Sequence, residues 1–198
     1  MDMPSHFFVF GLQKSGTKYF KKLLEVNTNL KFKTEYVWKH TMNPMDFYDD
    51  DVEKFWITKS PYNWARSVIK RHRVDILQKY KRYNLKEVSG MVVRGINIKN
   101  LMTLYNHYHT MLINTEMENV KYEELLKDNF TYFKSLYQNK NYEVKIPPVQ
   151  DVSTSKFYIE EETKAEYLSQ PRSNDPLIVE INKYVDRDLI NRLGYKVA

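Results

Sequence analysis

Four consecutive apolar residues, Phe7–Phe10 (FFVF), form the first hydrophobic block of the chain. A short run without polar alternation predicts a strand buried on both faces. Gly11–Ser15 interrupts it, and Thr17–Val26 then places Tyr19, Phe20, Leu23 and Leu24 at helical spacing. Strand, loop and helix therefore follow one another directly. Leu30–Val37 reads as a second strand, and the acidic stretch Asp46–Lys54 as a short helix. Phe55–Thr58 (FWIT) repeats the buried-strand pattern. Ser60-Pro61 is a helix start, with Ser as cap and Pro in the first turn. The spacing of Trp64, Val68, Ile69, Val74 and Leu77 carries that helix from Pro61 to Tyr80.

Asn84–Gly95 reads as a loop and Ile98–Ile113 as a second long helix. Glu118–Tyr122 (ENVKY) is a short strand, and Glu123–Asp128 opens another helix. Pro147-Pro148 closes a connection. Pro176–Leu193 has apolar residues at Leu177, Ile178, Ile181, Val185, Leu189 and Ile190, which predicts one terminal helix stopped by Gly194. Strands that alternate with helices argue for an α/β domain with a mostly parallel sheet.

Length and composition narrow the options. The chain has 198 residues, 42% hydrophobic and 15% aromatic, enough for one domain with a substantial core. It has no cysteine, which excludes a disulfide framework, a thiolate metal site and a cysteine nucleophile. No apolar run reaches the length of a signal peptide or a membrane span, so the expectation is a soluble, cytoplasmic protein. The formal charge of +6 suits an anionic partner, although a lysine-rich solvated surface gives the same number. Only five glycines occur, and two of them, Gly11 and Gly16, share one short loop.

That loop is Gly11-Leu12-Gln13-Lys14-Ser15-Gly16-Thr17-Lys18. A strand leading through such a loop into a helix is an anion cradle. Backbone N–H groups converge, and the helix N-terminus adds positive potential. A nucleotide triphosphate loop would read G-x-x-x-x-G-K-[ST]. Here Thr17 follows Gly16, Lys18 arrives one place late, and Lys14 lies inside the loop. The Mg²⁺-binding position is not filled in the usual register, and FWIT runs into Lys59 rather than an acidic strand end. The pattern therefore favours a phosphate cradle that does not serve Mg–nucleotide chemistry. The competing reading is an ordinary strand–helix turn.

The segment FVFGLQKSGTKYF resembles the 5′-phosphosulfate loop, P-K-S-G-T-T, of the sulfotransferase superfamily, with Gln13 for Pro and Lys18 for the second Thr. A second family motif, R-N-P-x-D-x-x-x-S, is matched in spacing by Lys59-Ser60-Pro61-Tyr62-Asn63-Trp64-Ala65-Arg66-Ser67, with Lys59 for Arg. Val120-Lys121-Tyr122-Glu123-Glu124-Leu125-Leu126 is similar to the family's V-x-Y-E-D-L. The ending INKYVDRDLINRLGY is similar to the last helix of compact bacterial and viral-type members. The resemblance implies a single domain over residues 1–198. It also implies a P-loop-like three-layer fold, with a central mostly parallel sheet flanked by helices.

It further implies a donor, 3′-phosphoadenosine 5′-phosphosulfate, a product, adenosine 3′,5′-bisphosphate, and no metal. Gln13, Lys14, Ser15, Gly16, Thr17 and Lys18 would form the 5′ cradle, with Lys14 beside the leaving oxygen. Lys59 and Ser67 would take the 3′-phosphate. Lysine keeps the charge of the family's arginine and loses its fork geometry. Lys156 or Arg172, in the late Ser153–Arg172 region, are further candidates for that phosphate. The acceptor must lose a proton, and Glu35, in KTEYVW, resembles the base of glycan sulfotransferases. His40 is the alternative.

The acceptor expected is a carbohydrate or another small molecule, with no nucleic acid and no membrane span involved. His107 and His109 are two apart and face different ways on a helix, so they make a poor metal pair. The aromatic stretch Leu104–Met111 lines an acceptor site or packs the core. Two other functions remain open at this point: a non-catalytic nucleotide- or anion-binding module, and a P-loop nucleotide kinase.

Overall fold

A computed structural model of the chain describes residues 4–34, 39–41, 44, 49–72, 84–88, 91–94, 97–140, 143, 165, 168–169 and 173–198. Its centre is a four-stranded, all-parallel sheet. The strands are β1 (His6–Phe10), β2 (Lys31–Phe32), β3 (Val52–Thr58) and, after a separate hairpin, β6 (Glu118–Lys121), in the order β2-β1-β3-β6. The register pairs Phe10 with Trp56 and Thr58 with Lys121.

Both faces of the sheet are covered. Phe7 and Val9 of β1, with Phe55 and Ile57 of β3, pack under α1 (Thr17–Asn27) and α4 (Tyr122–Lys140). Phe8 and Phe10, with Trp56, pack against the other layer. That layer is α2 (Pro61–His72), α3 (Ile98–Leu112), α5 (Pro176–Asn182) and α6 (Arg187–Arg192). Successive side chains of a strand point to opposite faces, so the unbroken FFVF run is what a two-sided core requires. The fold is a P-loop-like three-layer α/β sandwich, as the sequence implies. No helix among the described residues is long and apolar enough to cross a membrane.

Several boundaries differ from the sequence reading. The second strand covers Lys31–Phe32, and Leu30, Lys33 and Thr34 lie outside it; residues 35–37 of the expected Leu30–Val37 strand lie outside the described residues. Lys33 N still donates to Phe7 O, but the edge of β1 is then met by the Lys39 carbonyl, which accepts from Gly11 N. The acidic stretch does not stay helical to Lys54, because Val52–Lys54 begin β3 and pair with His6–Phe8. Residues 46–48 of that stretch lie outside the described set, as do residues 73–80 of the second helix, which is described to His72. Asn84–Gly95 is not a loop. It holds the antiparallel hairpin β4 (Asn84–Val88) and β5 (Met91–Arg94). The Ser89-Gly90 dipeptide between them is a sequence signal for a turn.

The helix opening at Glu123 reaches Lys140, but backbone angles at Asp128 (φ −158°, ψ 89°) break it. Asp128 caps the continuation by accepting from Thr131 N and Thr131 Oγ1. The C-terminal stretch is two helices rather than one. Asp186 caps α6 through Leu189 N, while Asn106 of α3 accepts from Asp186 N and donates to Tyr184 O. These bonds fix the break against α3. Gly194, at φ +74°, stops α6 as expected. Tyr195 N donates to Ile190 O and Gly194 N to Asn191 O, the paired bonds of a Schellman end.

Candidate functional site

Because the sheet is parallel, the carboxyl ends of β1, β3 and β6 open on the same edge, where α/β proteins place their ligands. β1 delivers Gly11–Gly16, β3 delivers Lys59 and Ser60, and β6 delivers Tyr122 and Glu123. The loop bends sharply. Lys14 (φ 71°) and Gly16 (φ 106°) both occupy the left-handed region. For a lysine that conformation costs about 1–2 kcal/mol, and the surrounding packing holds it in place. Trp64 Nε1 of α2 donates to Gln13 O at 2.8 Å, Ser15 N donates to Leu12 O, and His40 is hydrogen-bonded to the Gly11 carbonyl.

Gly16 is the residue before α1 and supplies no side-chain cap, so it leaves the first-turn N–H groups of Thr17 and Lys18 unanswered. Ser15 is buried, and its hydroxyl has no hydrogen-bond partner. A buried orphan hydroxyl under an uncapped helix start is a donor set waiting for an anion. Thr17 is buried beside it, while Lys18 is exposed. Gly16 sits against the Tyr122 ring so closely that a Cβ there would overlap the ring.

Lys59 is the buried cation of the site. Its Nζ donates to Ser67 Oγ at 3.3 Å and lies 3.9 Å from the centre of the Tyr122 ring. Ser67 Oγ in turn donates to Asn63 O at 2.8 Å. Burial drives the Lys59 ammonium from its ordinary 10.5 down to about 7; the Glu123 carboxylate opposes the shift and the Lys14 charge adds to it. The two residues taken from the sequence as a 3′-phosphate pair are therefore in contact, within electrostatic reach of the loop lysine.

Glu123 ties these parts together. Its Oε1 accepts from Ser60 N (3.0 Å) and from Asn63 Nδ2 (2.8 Å). Its Oε2 accepts from Tyr195 OH (3.0 Å). Ser60 Oγ caps α2 through Asn63 N, as the Ser-Pro start predicts. Tyr105 OH donates to the Lys59 carbonyl at 2.7 Å. Sequence reasoning gave no role to Tyr122, Glu123 or Tyr195. The V-x-Y-E segment was the available signal for the first two; Tyr195 closes the family-like ending INKYVDRDLINRLGY, but nothing in that segment pointed to Glu123, 72 residues away along the chain.

His40 is buried on the loop. Burial pushes its pKa down to about 4 against the Gly11 hydrogen bond, with the Lys39 and Lys18 charges adding to the fall. It is a neutral imidazole at pH 7. Nδ1 carries the proton, because the Gly11 carbonyl can only accept. Glu35, Lys156 and Arg172 lie outside the described residues.

The aromatic stretch of α3 is core: Tyr105, Tyr108 and His109 are fully buried, and His107 is exposed. A cavity of about 220 Å³ at the β6 edge is lined by Trp56, Met117, Asn119, Lys121, Arg192 and Gly194 among others, and by no residue of the loop. Among the described residues no group of three or more histidine or acidic side chains could hold a metal ion. No protein-family model matches the chain, and no curated protein or solved structure is significantly similar to it.

Proposed function

We propose that the chain is a sulfotransferase that binds 3′-phosphoadenosine 5′-phosphosulfate and transfers its sulfuryl group to an acceptor hydroxyl or amine, the acceptor being a carbohydrate or another small molecule. The observation that carries the reading is the Lys59–Ser67 contact next to the Gly11–Gly16 cradle. One edge of the sheet thereby offers two anion sites, one at the loop and one eight residues into the next strand–helix turn. A nucleotide with phosphates at both 5′ and 3′ positions suits two such sites, whereas a linear triphosphate needs only the first. The off-register Lys18 argues against a kinase in the same direction.

In this reading the acceptor oxygen or nitrogen forms a bond to sulfur as the bridging sulfur–oxygen bond breaks. The electron pair departs on the 5′-phosphate, and the acceptor's proton passes to a base. Lys14 stabilises the departing charge, and Ser15, Gly16 and Thr17 hold the phosphate, in the manner of other pre-organised anion sites. Glu35 is the first choice for the base. His40 is the second, weakened by a pKa near 4.

Calorimetric titration with adenosine 3′,5′-bisphosphate, adenosine 5′-monophosphate and Mg-ATP tests the donor site. Tighter binding of the bisphosphate is expected, and a preference for Mg-ATP would overturn the reading. Incubation with the donor and a panel of saccharide and phenolic acceptors, read by mass spectrometry for added sulfate, tests turnover.

A further inference from the structure

Glu123 has no part in the donor reading above, yet its carboxylate accepts three hydrogen bonds at the site. It fixes the first turn of α2 at Ser60 and Asn63, and the residue after α6 at Tyr195. Asn63 is also the residue whose carbonyl receives the Ser67 hydroxyl. The same carboxylate supplies the negative charge that favours protonated Lys59. Its neighbour Tyr122 presents a ring to Lys59 Nζ on one side and to Gly16 on the other. A single dipeptide at the end of β6 therefore sets both the position and the charge of the Lys59–Ser67 pair.

We infer that Glu123 is a positioning residue that makes the site discriminate nucleotides carrying a 3′-phosphate from those lacking one. The inference rests on the donor reading above. A phosphate dianion at Lys59 and Ser67 needs Lys59 as an ammonium. The groups that face Lys59 are Glu123 and Tyr122 from the β6 end, Lys14 from the loop, Ser67 from α2 and Tyr105 from α3, whose hydroxyl holds the Lys59 carbonyl. Among these described groups, Glu123 carries the negative charge. Burial alone would leave the lysine neutral at pH 7, and the carboxylate restores part of its charge. The 5′ cradle has donors of its own, the Ser15 hydroxyl and the first-turn N–H groups of α1.

The test compares binding of adenosine 3′,5′-bisphosphate with that of adenosine 5′-monophosphate, as a ratio, in the wild type and in Glu123→Gln. Glutamine can keep the acceptor for Ser60 N and removes the charge. The ratio is expected to fall near pH 7.5, because loss of the carboxylate lowers the fraction of Lys59 that is protonated. Monophosphate affinity should stay within about twofold, which also shows that the variant is folded.

The wild type supplies a second measurement. Its ratio should decline as the pH is raised from roughly 6.5 to 9, a range above the second phosphate pKa of about 6. A wild type with no preference for the bisphosphate overturns the donor reading, and this inference with it. A wild type with that preference but a flat ratio across the range, or a Glu123→Gln protein with the wild-type ratio, overturns this inference alone.

Discussion

Lys59 Nζ lies 3.3 Å from Ser67 Oγ, although the two residues leave different elements, the end of β3 and the middle of α2. The burial that pulls the Lys59 ammonium down to about 7 outweighs the opposing pull of the Glu123 carboxylate. The preferred state of Lys59 is therefore tied to what else enters the site.

The first prediction concerns stability and pH. An unfolded lysine stays protonated to about 10.5, while burial holds Lys59 near 7. Between those values the unfolded chain binds the extra proton, so stability rises with pH across the window. Below about 7 both states are charged and the burial penalty is present in full. Thermal melts of the ligand-free protein should climb from pH 7 towards roughly 9 by a component that Lys59→Met removes. If the two proteins show the same slope, Lys59 does not titrate in this window.

Lys14 allows backbone and charge to be separated. Its left-handed φ of 71° is strained for any residue with a Cβ. Lys14→Gly should be as stable as the wild type or more so by up to about 1 kcal/mol, the relieved strain being offset by unfolded-state entropy. Lys14→Ala keeps the strain. Both variants should lose sulfuryl transfer by about 100-fold or more, as expected when a charge-stabilising donor is removed. Unchanged turnover in either one rules out the loop assignment.

Gly16 tests the close approach of the two halves of the site. Gly16→Ala combines a φ of 106° with a Cβ that would overlap the Tyr122 ring. Loss of about 2–4 kcal/mol is expected in urea unfolding, from strain and overpacking together. A Gly16→Ala protein of wild-type stability would mean that the ring and the loop are not in contact.

His109 is a buried imidazole among Trp56, Tyr105 and Tyr108, and its Nδ1 has no hydrogen-bond partner. Burial lowers its pKa from 6.5 to about 3. Here too the unfolded chain binds the extra proton between those values, so the residue costs stability as pH falls below about 6.5. His109→Phe keeps the ring and removes the titration. Its melting temperature should fall less than the wild type's between pH 6.5 and 4, and parallel curves would show that His109 is not the acid-sensitive group.

Much of this was readable from residue order. FFVF, FWIT and the Ser60-Pro61 start each lie where local pattern predicts, because burial on two faces and a capped first turn leave plain marks. The Lys59–Ser67 pair was legible only through the motif spacing that resembles the sulfotransferase pattern, which sets the two residues eight apart from the end of β3 into α2. Glu123 and Tyr195 were not, since their meeting depends on how α6 ends against β6, a relation with no local signature. The strands at 84–88 and 91–94 were not legible, because Asn84, Lys86 and Glu87 break up the apolar run that marks a strand. The split of the last helix depends on Asn106, some eighty residues away along the chain.

The two-sided burial of β1 also bears on how the protein assembles. A strand that needs both helical layers cannot come to rest until α1 and α4 have closed one side and α2 and α3 the other. The loop that follows it takes its final shape only then, because Trp64 holds Gln13 from one layer and Tyr122 abuts Gly16 from the second. If the chain binds the proposed donor, its affinity for adenosine 3′,5′-bisphosphate should therefore appear late in refolding, after helix content has recovered, and serve as a marker that both layers are in place.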